Sequence, residues 1–432
     1  MSWVKKTLSE LCLIEKGKIG IKKATPGEYP MVVTAEERLS HNEFHFEGNA
    51  VIIPLVSSTG HGHKSLKRIH FQSGKFAVGN ILCVVIPKDE NVLRADYLYR
   101  FLDLNREKEL VSRMKGMANV TLPMKEIAKV EIPVPPIEAQ IEFVQQYSSL
   151  EEKSHELGNE VNQQLDLIKL LRQAFLREAM QGKLVPQEPN DESASILLEK
   201  IKAEKERLIK EKIIKKQKPL PPITEDEFPY EIPENWEWCR LGALTTYGSS
   251  SKAEPSDLKS DTWVLDLEDI EKESSRLLCK IRFHERNSLS TKSKFEAGDV
   301  LYSKLRPYLD KVIVADEPGV CTTEILPLKC YAGLNPYYFK AALKRPDFLL
   351  HVNSVTRGMK MPRLGTKEGE LALIPIAPIS EQQRIVAKLD ELMQFCDELE
   401  ASIKESQGQN ELLLQQVLFE ALEPKEKEVE KV

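Results

Sequence analysis

The chain contains its own second copy. The stretch GMANVTLPMKEIAKVEIPVPPIEAQIEFV, beginning at Gly116, aligns without a gap to GMKMPRLGTKEGELALIPIAPISEQQRIV, beginning at Gly358, so the offset (358 less 116) is 242 residues. Gly116/Gly358, Met117/Met359, Leu122/Leu364, Lys125/Lys367, Ile132-Pro133/Ile374-Pro375, Pro136-Ile137/Pro378-Ile379 and Gln140/Gln382 coincide across it. A weaker echo opens each half, because Trp3, Leu8 and Leu11 are spaced like Trp236, Leu241 and Leu244. An internal repeat of this length means one folding unit used twice, and so a pseudo-symmetric molecule.

Each copy reads as a small mixed domain followed by a long helix. AVIIPLV at 50–56, ILCVVIP at 81–87 and AKVEIPV at 128–134 are apolar or alternating runs bounded by turn residues, which predicts strands, whereas Asp96 to Met114 has helical spacing. After Pro135-Pro136 no further proline occurs until beyond Gly182, and Ile137, Ile141, Val144, Leu157, Val161, Leu165, Ile168, Leu171 and Phe175 recur at helical steps. Ile379, Val386, Leu389, Met393, Cys396, Leu399, Ile403, Leu413 and Val417 do the same after Pro378. An amphipathic helix of this kind needs a partner for its stripe, and the simplest partner is the other helix. At ~1.5 Å per residue each would be about 65 Å long. The expected class is α+β: mixed α/β domains at 1–135 and 235–377, and long antiparallel helices at 136–182 and 378–423. A basic, proline-rich linker at 183–234 and a charged tail at 424–432 complete the division.

The net charge of −6 hides an uneven distribution. From Gly48 to Lys88 there is no Asp or Glu, yet Lys64, Lys67, Arg68, Lys75 and Lys88 lie there with His61, His63 and His70. In the second copy Lys340, Lys344, Arg345, Arg357, Lys360, Arg363 and Lys367 are accompanied only by Asp347. Each copy is therefore expected to present a basic patch, as a binder of a two-fold symmetric polyanion such as duplex DNA would. The connector from Lys200 to Lys218 has nine basic and three acidic residues, and reads either as a solvated helical linker or as a phosphate-contacting arm.

No glycine-rich cofactor loop, Walker motif or cluster of metal-binding carboxylates is written in the chain, which argues against an enzyme. Asn335-Pro336-Tyr337-Tyr338 resembles the Asn-Pro-Pro-aromatic loop of amino-group DNA methyltransferases, but it lacks the second proline and reads better as a helix N-cap. His41, His45, His61, His63 and His70 fix no third metal ligand by spacing, so no metal site is expected. Seven scattered cysteines without a CxxC pair suit free thiols in a reducing cytoplasm, and no apolar run suggests a membrane span. What remains is recognition chemistry. Ser57, Ser58, Thr59, His61, His63 and Lys64, with Lys67 and Arg68 beyond, form a glycine-containing loop of donors after a strand. Ser303, Lys304, Arg306, Tyr308 and Lys311 offer a similar mixture in the second copy. Lys115/Arg357 and Lys125/Lys367 occupy equivalent repeat positions and remain basic, which suits a shared phosphate contact, and Lys360 and Arg363 are further DNA-binding candidates in the second copy's basic patch.

These residues together resemble the specificity subunit of type I restriction-modification enzymes. The resemblance spans the chain and rests on Trp3 with Leu8, on Pro233-Glu234-Asn235-Trp236-Glu237-Trp238 with Leu241 and Gly242, and on the segments Ile132 to Ile137 and Ile374 to Ile379. Glu381-Gln382-Gln383-Arg384-Ile385-Val386 follows the second segment, whereas the first copy has Glu138-Ala139-Gln140-Ile141-Glu142-Phe143-Val144, so contacts at the two helix starts should differ. The family implies two target-recognition domains that each read half of a split, asymmetric DNA sequence, held on a coiled-coil spacer. It implies as partners double-stranded DNA, two methyltransferase subunits and restriction/translocase subunits. S-adenosylmethionine, ATP and Mg would belong to those partners, leaving this chain non-catalytic. A free-standing specificity protein of a methylation-only or other defence complex is the alternative reading.

Overall fold

The computed structural model describes residues 3–59, 62–245, 247, 250–286, 289–358 and 360–421, so the charged tail at 424–432 lies outside the described residues. The chain forms two compact units: Met1–Asn162 with Lys404–Val432, and Gln163–Ile403.

In the first unit the fully buried strand Ala50–Pro54 is central. It pairs antiparallel with Leu82–Pro87 and His70–Gln72, and Cys12–Lys16 extends the sheet beyond Leu82–Pro87. Because side chains alternate along a strand, Val51 and Ile53 face one apolar cluster with Cys83, Val85, Tyr97, Leu98 and Leu102. Ala50 and Ile52 face another with Phe46, Phe76, Val78, Leu82 and Val84. Helix Ala95–Leu104 supplies the first cluster. A second sheet of Leu39–His41, Tyr29–Val32, Lys75–Val78 and Phe46–Glu47, whose middle pair is parallel, supplies residues of the other. The helix read from Asp96 to Met114 is broken at Asn105, whose backbone N–H and side-chain amide both bond the Phe101 carbonyl. Ala128, read as strand, ends the short helix Met124–Ala128, and the strand is only Glu131–Pro133.

The second unit repeats this plan. Strand Val300–Ser303 lies between Val312–Val314 and Ile325–Leu328. Val300 and Tyr302 turn towards Tyr338 and Phe339 of helix Pro336–Lys344, while Leu301 turns towards Trp263, Leu265, Phe295 and Cys321 of a second sheet. Each unit also pairs its opening strand with the strand before its long helix. Lys5–Thr7 pairs with Glu131–Pro133, and Glu237–Arg240 pairs with Leu373–Ile376.

The long helices are Ile137–Met180 and Ile379–Ala421, and each contributes one segment to each unit. In the second unit Arg172 donates to Asp397 at 2.7 Å and to Glu400 at 3.2 Å. In the first, Tyr147, Glu151 and Leu414 line one cavity. The opposed order of these residue numbers is that of an antiparallel pair. Ile168, Leu389 and Cys396 of the apolar stripe are buried, but Leu157 and Leu413 are exposed. Near Leu157, Gly158, Asn159 and Asn162 line an open groove where apolar residues would have closed the seam.

The segment expected as a linker is a packed part of the second unit. Helix Ala194–Lys210, capped by the Ser193 side chain, buries Ala194, Leu197, Ile201, Lys205 and Leu208 against that unit's core. Its charge run conceals this helical period. Lys205 donates to the carbonyls of Gly242 and Ala243 at 3.0 Å and of Thr245 at 2.9 Å, the open C-terminal end of helix Leu241–Leu244. Burial pulls its ammonium down to about 8.

Candidate functional site

The two regions singled out in each copy meet in the fold. In the first unit the hairpin around Gly116 closes through Lys115 N–H to Thr121 O (2.8 Å) and Thr121 N–H to Lys115 O (2.9 Å). Val56 bridges to Thr121, and Ser57 N–H donates to Val120 O at 3.0 Å, so the loop after Ala50–Pro54 is stitched to that hairpin. Gly62, at φ +83°, approaches so closely that a Cβ there would lie 2.3 Å from the Met117 carbonyl oxygen. In the second unit Arg357 and Arg363 close the equivalent hairpin (3.3 and 3.0 Å). Leu305 bridges to Arg363, and Arg306 N–H donates to Pro362 O at 2.7 Å. Both units therefore present one composite surface: a post-strand loop laid against a glycine hairpin.

Not every expected residue is free on that surface. Ser58, Thr59, His63, Lys64 and Lys67 are exposed, but the Ser57 hydroxyl closes its own loop on His63 O at 2.6 Å, and the Ser58 hydroxyl accepts from Lys67 N–H at 2.9 Å. His61 lies outside the described residues. In the second unit Arg306, Tyr308, Lys360 and Arg363 are exposed and Lys304 is half-buried. Lys311 turns inward and donates to Leu267 O at 2.6 Å, which removes it from the candidate contact surface. Arg306 and Asp310, both left-handed (φ 49° and 48°), flank the turn Pro307–Leu309 that carries Tyr308 outward.

The basic patches are also thinner than a charge count along the chain predicts. Lys344, its side chain 11% exposed, turns inward and donates to Asp310 (2.6 Å), Ser275 Oγ (2.7 Å) and Glu273 O (2.8 Å). Burial lowers the pKa of Lys344 and lifts Asp310 to about 6. Arg345, 2% exposed, is spent on Asp347 and the carbonyls of Ala342 and Leu373. Arg68 is held by Glu36 at 2.8 Å, from outside the acid-free window. Buried His70 is pushed down to about 4, first by burial and then by Arg38 and Arg68. Asn335 is an N-cap, its side chain accepting from Tyr337 and Tyr338 N–H. Among the described residues no His, Cys, Asp and Glu cluster could hold a metal ion, and no helix is long and apolar enough to cross a membrane.

The repeat also carries a pair of carboxylates whose role only the fold reveals. Lys115 pairs with Glu126 at 2.8 Å and Arg357 with Glu368 at 2.9 Å, and these acids also coincide at the 242-residue offset. The same clasp holds a cation over each hairpin, and the Glu126 carboxyl is held below its ordinary range by its hydrogen bond from Lys115. Gln140 and Gln382, both fully buried, form a second shared junction. Each accepts from the backbone N–H at the start of its unit's helix, Arg94 or Asn335, and donates to the carbonyl of Pro135 or Ala377. The helix starts differ where their sequences differ. Glu381 accepts from Trp236 Nε1 at 2.8 Å and from Gln187, whereas the first copy has Ala139 at that position.

A family profile for the type I restriction modification DNA specificity domain matches residues 1–167. The EcoAI specificity subunit of type I restriction enzymes from Escherichia coli is 36% identical over 58% of this chain and 44% of its own length. The E. coli EcoEI subunit is 34% identical over 60% and 45%. The matches thus span less than half of those two relatives. The E. coli EcoDI subunit is 24% identical over 98% of this chain and 88% of its length. Among solved structures, a chain from work on complex assembly and conformational transition of the type I R-M system covers 98% of this chain and 98% of itself, with a TM-score of 0.66 and 16% identity. The HsdS subunit from Thermoanaerobacter tengcongensis covers 98% and 96%, with a TM-score of 0.50 and 16% identity. These two likenesses establish the fold.

Proposed function

We propose that the chain is a specificity protein of the type I restriction-modification kind, as the profile match over residues 1–167 and the likeness to the E. coli subunits support, and that it reads a bipartite, asymmetric duplex DNA target and scaffolds methyltransferase and restriction subunits. The observation that carries this reading is the repeated pairing of a donor-rich loop with a cation-bearing glycine hairpin, on a shared scaffold but with different loop residues. Shared parts suit contacts that every duplex offers; divergent parts suit base edges that differ between half-sites. Residues 1–135 and 235–377 are then the two target-recognition domains, and the helices at 136–182 and 378–423 the spacer. Ser58, Thr59, His63 and Lys64 in one, and Lys304, Arg306 and Tyr308 in the other, are proposed to approach bases. Lys67, Lys115, Arg357, Lys360 and Arg363 are proposed to touch phosphates. Methyl transfer to adenine from S-adenosylmethionine, and ATP- and Mg-dependent translocation and cutting, fall to partner subunits in the bacterial cytoplasm.

Reconstitution tests the reading. The purified chain should neither methylate nor cleave DNA, and adding its methyltransferase subunit should give adenine methylation at one split sequence. Methyl transfer by the isolated chain, or methylation at a continuous sequence, would contradict it.

A further inference from the structure

We propose that the lysine-rich turn following helix Ala194–Lys210 is a second nucleic-acid contact, gripping the phosphate backbone of duplex DNA outside the target bases. It rests on the DNA-reading assignment above.

From Arg207 to Lys218 the chain has six cations, Arg207, Lys210, Lys212, Lys215, Lys216 and Lys218, and one acid, Glu211. All six are exposed. Arg207 reaches Glu211 at a loose 3.9 Å, and among the described residues the other five form no ion pair. This is the reverse of the reading hairpins, where Lys115, Arg357 and Arg363 each lie on a carboxylate. A solvated tail would also carry free lysines, but this turn is pinned. Ile214 packs against the core of the second unit, Gln217 accepts from buried Lys205 at 3.0 Å, and Arg240 fixes the carbonyls of Pro221 and Pro222 at 2.9 and 3.0 Å. Lys212 takes the left-handed conformation, φ 60°, directly after the helix, where glycine is the ordinary residue and a cation complements the helix C-terminus.

The turn is also built onto the reading hairpin's own support. Lys205, which holds Gln217, bonds the Gly242 carbonyl, and a Cβ at Gly242 would stand 3.0 Å from the Glu370 Cβ. Glu370 lies in helix Thr366–Leu371, whose Glu368 holds Arg357. Several unneutralised cations fixed on the body that carries the hairpin match a phosphate backbone continuing past a half-site.

The test is the salt dependence of full-chain binding to a duplex of about 40 bp of scrambled sequence. Replacing Lys212, Lys215, Lys216 and Lys218 with Gln should make the slope of log affinity against log salt shallower by about 3.6 if all four touch phosphates, since each lost phosphate contact removes roughly 0.9. Affinity near 0.1 M salt should fall by more than about tenfold, while the four Arg replacements should keep the wild-type slope. An unchanged slope in a Gln variant that melts like the wild type would overturn the proposal. So would a loss confined to affinity for the methyltransferase subunit, which would make the turn a protein-docking surface. A wild-type chain that binds no duplex at all would instead sink the DNA-reading assignment on which the proposal stands.

Discussion

The two units close the same helix end with a lysine taken from different places. In the first, Lys88 reaches the carbonyls of Ser9 and Glu10 at 2.8 and 3.0 Å, from the end of the domain's own sheet. In the second, Lys205 reaches the carbonyls of Gly242 and Ala243, which match Ser9 and Glu10 in the echo that aligns Trp3 with Trp236, but it comes from the connector. The carbonyl cage is fixed by the fold, because a short helix leaves its last carbonyls unpaired. The amine that fills it is free to change its origin. By recruiting the connector, the second unit makes a nominal linker part of its own stability.

Removing the two amines should separate the units most strongly. Lys205→Met should cost about 3 kcal/mol, because it leaves several carbonyls buried and unpaired, whereas exposed Lys88→Met should cost under about 1 kcal/mol, because water replaces the lysine. Denaturant unfolding of the full chain measures both, and equal losses would deny the difference. The shared junction predicts symmetry instead. Gln140→Ala and Gln382→Ala should each cost about 2 kcal/mol, since both orphan the same kinds of buried backbone group; a one-sided loss would show that the repeat is not functionally equivalent there.

A smaller effect separates the units by pH. His70 is buried neutral in the first unit, pushed down to about 4, so the unfolded chain binds the extra proton between pH 6.5 and 4. The stability that it contributes is full above pH 6.5 and is lost as pH falls through that window, by roughly 2–3 kcal/mol. His70→Asn should flatten the acid limb of unfolding, and an unchanged limb would contradict the assignment. The smallest effect belongs to the shared clasp. Glu126→Gln or Glu368→Gln frees a cation over one hairpin, and should tighten binding to any duplex by no more than about fivefold without altering target choice.

Much of this was legible beforehand. The strand at 50–54, the long helices and the N-cap at Asn335 follow from period, proline placement and cap chemistry. Charge was read less well, because a count along the chain cannot see partners across the fold. The acid-free window around Arg68 is met by Glu36, and Lys344 and Arg345 point into the second unit. The connector hides its packing for a related reason. Ala194, Leu197, Ile201 and Leu208 lie on a helical period, but the lysines between them dominated the reading. Glu126 and Glu368 were visible at matching repeat positions, and only their contacts with Lys115 and Arg357 gave them a role.

If one scaffold carries two independent readers, half-site selection from a randomised duplex library will show each half of the target answering to its own loop. The full chain, with the methyltransferase subunit proposed as its partner, should select one split sequence. Replacing Ser58 and Lys64 should relax only one half, and replacing Arg306 and Tyr308 only the other, by about 1–3 kcal/mol per lost base contact. If either set instead weakened both halves equally, or left both untouched, the loops would not be the readers and the account would be wrong.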